Sequence, residues 1–140
     1  MGVAPLMLAL ALAAAPLGPN LFVAGDGFTL EQAMADAQAQ RTPEDPPPKI
    51  LVTGDQAARL AAARATPDTI ELIRRARRGG AGIYVCGKDL KAHGLRPGDL
   101  VPGVIAVRGY VSGDPSRAED WERRLPPAPD RKSMAICASD

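Results

Sequence analysis

Four short apolar runs, spaced by stretches of helical character, constrain this chain more than any other feature. Asn20-Leu21-Phe22-Val23-Ala24 ends at Gly25-Asp26-Gly27, and Lys49-Ile50-Leu51-Val52-Thr53 ends at Gly54-Asp55. Ala81-Gly82-Ile83-Tyr84-Val85-Cys86 ends at Gly87, and Val104-Ile105-Ala106-Val107 is the fourth run. Runs of this length, rich in β-branched residues and closed by glycine, read as strands. The intervening segments have a different period. Thr29 caps a helix expected over 30–40, with Leu30, Ala33, Met34 and Ala37 on one face. Residues 56–65 are rich in Ala and Arg and helical in propensity. Thr66 and Pro67 start another helix, which carries Ile70, Leu72, Ile73 and Ala76 and stops at Gly79-Gly80. Lys88 to His93 forms a short helical turn closed by Gly94. Strands that alternate with helices and lack a polar face predict an α/β fold, a small three-layer domain with a mainly parallel sheet flanked by helices.

Composition narrows the class further. The chain has 140 residues, the size of one domain. Its 17 basic and 16 acidic groups leave a net charge of +1, which argues against a strongly basic nucleic-acid binder. Arg74, Arg75, Arg77 and Arg78 cluster in the last turns of one helix, where cations complement the helix dipole, and no aromatics interleave them. Gly and Pro, 14 each, break the chain too often for a long-helix bundle. A single histidine excludes a multi-histidine metal site, and two cysteines are too few for a disulfide scaffold. No Walker motif, dinucleotide fingerprint or nucleophile-elbow serine occurs. No metal and no cofactor is expected.

The start of the chain differs from the rest. Residues 1–40 contain no Lys or Arg, and residues 6–15 form an uncharged apolar run. That run is too short to span a bilayer but has the length of a signal-peptide core, with small residues following. Residues 1–15 are therefore read as a signal peptide, which implies a periplasmic or secreted protein with no stable membrane span after processing. A cytoplasmic location, with the run as a buried strand or helix, is the alternative. The domain then covers 16–112. Residues 113–140 hold a capped helix at 116–124 and an apolar tail, Met134 to Ala138, that docks on the domain or adds an edge strand.

Cys86 carries the chemistry. It ends a strand, directly before Gly87 and a short helix, on the edge where open α/β sheets gather reacting groups. Amide donors and the positive end of a helix dipole favour a thiolate there. Lys88 and Lys91 add positive charge, Gly87 permits close approach, and His93 is a candidate base or a helix-end residue. The competing reading is an inert, buried cysteine acting as a small hydrophobe.

The segment from Gly82 to Val104 (GIYVCGKDLKAHGLRPGDLVPGV) resembles the DsrE/DsrF-like (YchN-like) family. Its features are a strand ending in cysteine, a short helix, then Gly94-Leu95, Asp99-Leu100 and Pro102-Gly103-Val104, and the likeness extends over about residues 49–109. The resemblance implies a parallel α/β domain, usually a homo-oligomer, that carries sulfur as a persulfide on Cys86 between a donor and an acceptor protein. On that reading Cys137 is a resolving thiol on a mobile arm. In an oxidising compartment Cys86 and Cys137 form a structural disulfide instead. A third reading is that the two never meet, and a Cα separation above about 7 Å would remove both bridged versions. A soft copper site from Cys86, His93, Met134 and Cys137 has no recognised ligand spacing behind it. Against the sulfur-relay reading stands a non-catalytic oligomeric binding or assembly module with an inert Cys86.

Overall fold

The computed structural model describes residues 20–25, 27–110 and 120–138. The segment read as a signal peptide, and the start of the helix expected at 116–124, lie outside these residues. Four parallel strands form the sheet: β1 (Leu21–Ala24), β2 (Lys49–Val52), β3 (Gly82–Cys86) and β4 (Val104–Val107). They pair in chain order, β1-β2-β3-β4. The chain is thus an α/β protein with an all-parallel sheet.

The connections are α1 (Leu30–Gln40), a 3-10 turn (Gly54–Leu60), α2 (Pro67–Arg78), α3 (Gly87–Ala92) and a second 3-10 turn (Pro97–Asp99). Parallel crossovers share one hand. A strand order that never reverses therefore sends every connection across the same face. Phe22, Ala24, Ile50, Val52, Ile83, Val85 and Ala106 point to that face and pack with Leu30, Met34, Leu60, Ile73 and Leu90 into the main core. Each fully buried Leu, Ile or Val there contributes about 1.5–3 kcal/mol.

The helix starts follow the sequence closely. Thr29 caps α1 in a reciprocal capping box with Gln32. Thr66 caps α2, with Pro67 in the first turn. The region expected as a helix over 56–65 is instead the short 3-10 turn. Its buried side chains, Ala57 and Leu60, are three residues apart, the 3-10 spacing. Its end is taken up elsewhere: Val101 N–H donates to the Leu60 carbonyl at 2.8 Å and Ala62 N–H to the Asp99 carbonyl at 2.7 Å. Those backbone groups serve the loop before β4 and cannot continue a helix.

The opposite face carries Leu21, Leu51, Tyr84, Cys86 and Val107, the other half of the strand alternation. No crossover covers it. The C-terminal part of the chain does, through an extended stretch at 126–128 and α5 (Arg131–Ile136), while Trp121 of the preceding α4 (Asp120–Arg123) packs against the main core. Arg108 N–H donates to the Pro126 carbonyl and Ala128 N–H to the Arg108 carbonyl, which leads the chain past the end of β4. Ala128 and Cys137 then join the second core, with Met134 and Ile136 half-buried beside them. The expected apolar tail is thus a docked helix over 131–136 with Cys137 as its C-cap, and not an edge strand. No helix among the described residues is long and apolar enough to cross a membrane.

Candidate functional site

The site is built where β3 meets α5. Ile83 and Val85 face the main core, so alternation turns Tyr84 and Cys86 to the opposite face, under the C-terminal segment. Cys86 is at once the last residue of β3 and the N-cap of α3.

Its partner arrives on a helix that local chemistry fixes well. Asp130 caps α5, accepting from Ser133 N–H and Ser133 Oγ, each at 2.8 Å. Lys49 Nζ, at the start of β2, meets the same carboxylate at 2.9 Å. Ser133 is buried and Cys137 N–H donates to its carbonyl at 2.9 Å. The helix therefore sets Cys137 over the end of β3, where it forms a disulfide with Cys86: S–S 2.04 Å, Cα–Cα 5.1 Å. That separation lies inside the range a bridge requires. Cys86 is 0% exposed and Cys137 2%. Neither sulfur is a thiol in this state, so nucleophilic chemistry at Cys86 first needs a two-electron reduction.

The other predicted residues fall around this bridge in different ways. Lys88 Nζ donates to the Ala138 carbonyl at 3.1 Å, tying the residue after Cys137 to α3. Gly87 is buried, and the close approach it permits is made by Leu125: a Cβ at this position would sit 2.6 Å from Leu125 Cδ1. Lys91 pairs with the buried Glu122 of α4 at 3.3 Å. His93 is not brought to the sulfur. It is the C-cap of α3, and its Nε2 lies 3.1 Å from the Gly54 carbonyl and 3.9 Å from Asp55 Oδ1, at the exit of β2. The copper arrangement has no support, because the disulfide occupies both sulfurs. Among the described residues no group of three His, Cys, Asp or Glu could hold a metal ion.

The sheet order bears on the site as well. Ligand crevices in open α/β sheets form at a reversal of strand order. This order has no reversal, and the described cavities lie elsewhere. Two contributors escaped the sequence reading, Asp130 and Lys49. The signal for the first was present: Asp130 three residues before Ser133, ahead of Met134 and Ile136, is an N-cap pattern.

Burial pushes the Asp130 carboxyl upward, but the Ser133 N–H, the Lys49 ammonium and the Ser133 hydroxyl together hold it below its ordinary value. A depressed folded value means that the stabilisation is present above the unfolded pKa of about 4 and is lost as pH falls through the folded one. Asp130→Asn keeps a capping oxygen but loses the charge. Its expected cost is about 1 kcal/mol at neutral pH, narrowing toward zero as the medium is acidified below pH of about 4. Urea titrations at several pH values check this, and a constant gap down to low pH would contradict it.

Comparison of the chain with protein-family models, with curated proteins and with solved structures finds no match.

Proposed function

We propose that this protein is an exported sulfur-relay carrier of the DsrE/DsrF-like type, in which Cys86 takes up sulfane sulfur and Cys137 resolves it. One observation carries the reading: the cysteine that the sequence singles out is bonded to the other cysteine of the chain. The likeness of residues 82–104 to the family supports it. Export agrees with a bridge of this kind, since disulfides persist in oxidising compartments.

In the reduced protein the Cys86 thiolate attacks the outer sulfur of a persulfide donor, giving Cys86–S–SH and releasing the donor thiolate. An acceptor thiolate then takes that outer sulfur and regenerates the Cys86 thiolate. When no acceptor is present, the Cys137 thiolate attacks the inner sulfur, the Cys86–Cys137 bond forms and hydrosulfide leaves. The bridged state is then the discharged carrier, and a dithiol reductant of the thioredoxin class returns it to service with two electrons.

The near-complete burial of both sulfurs favours a second reading. There the bridge is a permanent staple, Cys86 is inert, and the domain is a binding or assembly module. One experiment separates the two. The folded protein is treated with a dithiol, freed of it, and offered a small persulfide. The relay reading expects one added sulfur on Cys86 by mass spectrometry, accumulating in Cys137→Ser, and hydrosulfide release with re-formation of the bridge in the unaltered chain. Failure of native-state reduction, or no added sulfur in Cys137→Ser, would sink the relay and leave the staple.

A further inference from the structure

At the other end of the sheet, α1, α2 and the chain entering β2 and β3 enclose a groove of about 470 Å³. Its floor is apolar: Ala37 and Ile50 are buried there, with Leu72 and Ala76 half-buried along one wall. The volume falls in the lower half of the range for small-ligand sites, room for one short chain and not for a whole lipid.

The rim is positive. Arg41, the C-cap of α1, donates from Nη1 to the carbonyl of Gly79, the C-cap of α2, so its guanidinium spans the mouth. Arg75 lines the same groove with its side chain 67% exposed and meets Glu71 through Nε at 3.9 Å, beyond hydrogen-bonding distance. Glu71 is already engaged by Arg74 at 2.7 Å and Arg78 at 3.1 Å. The two helix C-termini bring roughly half a negative charge each. Arg41 and Arg75, the charged residues that line the groove, outweigh those two half charges, and no carboxylate among the described residues lines it.

We propose that this groove binds a free medium-chain carboxylate, with the alkyl chain along Ala37, Ile50, Leu72 and Ala76 and the carboxylate between Arg41 and Arg75. The site is remote from the Cys86–Cys137 bridge and stands or falls independently of the sulfur-relay reading.

The probes are decanoate, decanol and decyltrimethylammonium, kept below micelle-forming concentrations and added to the oxidised full chain. Decanoate is expected to bind saturably, with amide shifts at Ala37, Leu72 and Ala76, and at least tenfold more tightly than the neutral and cationic analogues. Arg75→Gln, a change at an exposed position, should weaken decanoate about tenfold, the scale of one charge-assisted hydrogen bond. Equal binding of decanol would overturn the proposal, as would shifts confined to Tyr84 and Ile105 on the opposite face. So would amide shifts in the groove that follow protein concentration and ignore decanoate, the sign of a second copy of the chain seated there.

Discussion

Replacing both cysteines, as Cys86→Ala/Cys137→Ala, lowers the stability of this domain by about 4 kcal/mol and its unfolding midpoint by roughly 10–20 °C. The first figure follows from the sequence separation of 51 between the two cysteines. Closing a loop of that length removes chain entropy worth about 4 kcal/mol from the unfolded ensemble. Little else on the back of the sheet replaces it. α5 has six residues, far fewer than an isolated helix needs to persist in water. The Lys49–Asp130 pair, with side chains 26% and 18% exposed, adds about 1 kcal/mol. The double alanine variant is preferred to a single one because it leaves no unpaired thiol. Calorimetry on the two proteins gives the shift. Limited trypsin digestion gives the location, since Arg131 and Lys132 are exposed on α5 and become cleavable once the helix opens locally. A midpoint shift below about 3 °C, without new cleavage there, would show that the tail holds its place unaided.

The parts of this fold that local chemistry decides were readable from the residues. The strands at 49–52, 82–86 and 104–107 follow from apolar runs closed by turns, and α1 and α2 from Thr29, Thr66 and Pro67 at their starts. What escaped depends on contacts far apart in the chain. A strand of a parallel sheet is apolar on both sides, so Ile83-Tyr84-Val85-Cys86 shows two faces without showing which of them the helices cover. That choice decides whether Cys86 meets His93 or Cys137, and it is set by a strand order that never reverses. The Leu60–Val101 and Ala62–Asp99 hydrogen bonds shorten the expected helix after β2 from a distance of some forty residues along the sequence. The sulfur pairing belongs with these. Two cysteines admit one bridge, but whether it forms rests on where α5 docks. Asp130 and Ser133 announce that helix, but its place on the sheet depends on distant partners, among them Lys49.

Gly109→Ala tests how that docking and the bridge depend on each other. Gly109 follows β4 and is buried against the end of α5. Its φ is not positive, so alanine meets no backbone penalty of its own. The obstacle is external. A Cβ here would press into the Met134 carbonyl and the backbone of Cys137 and Ala138, well inside van der Waals contact. Backbone atoms cannot swing aside as a side chain can, so α5 must shift as a unit. In the bridged protein it is tied at Cys137, and Tyr110 N–H still holds the Met134 carbonyl at 3.2 Å. The expected cost is about 3 kcal/mol, the upper end for overpacking. In the Cys86→Ala/Cys137→Ala background the tail is free to retreat, and the same substitution should cost under about 1 kcal/mol. A double-mutant cycle in urea should thus return a coupling of about 2 kcal/mol between Gly109 and the bridge, and equal costs in both backgrounds would refute the linkage. The cycle also reaches the function. If the bridge is the discharged form of a carrier, its reduction requires α5 to lift from the sheet. Gly109→Ala stores strain in the docked state, so it should hasten reduction by a dithiol in the folded protein. A permanent staple predicts the same loss of stability with the bridge still out of the reductant's reach.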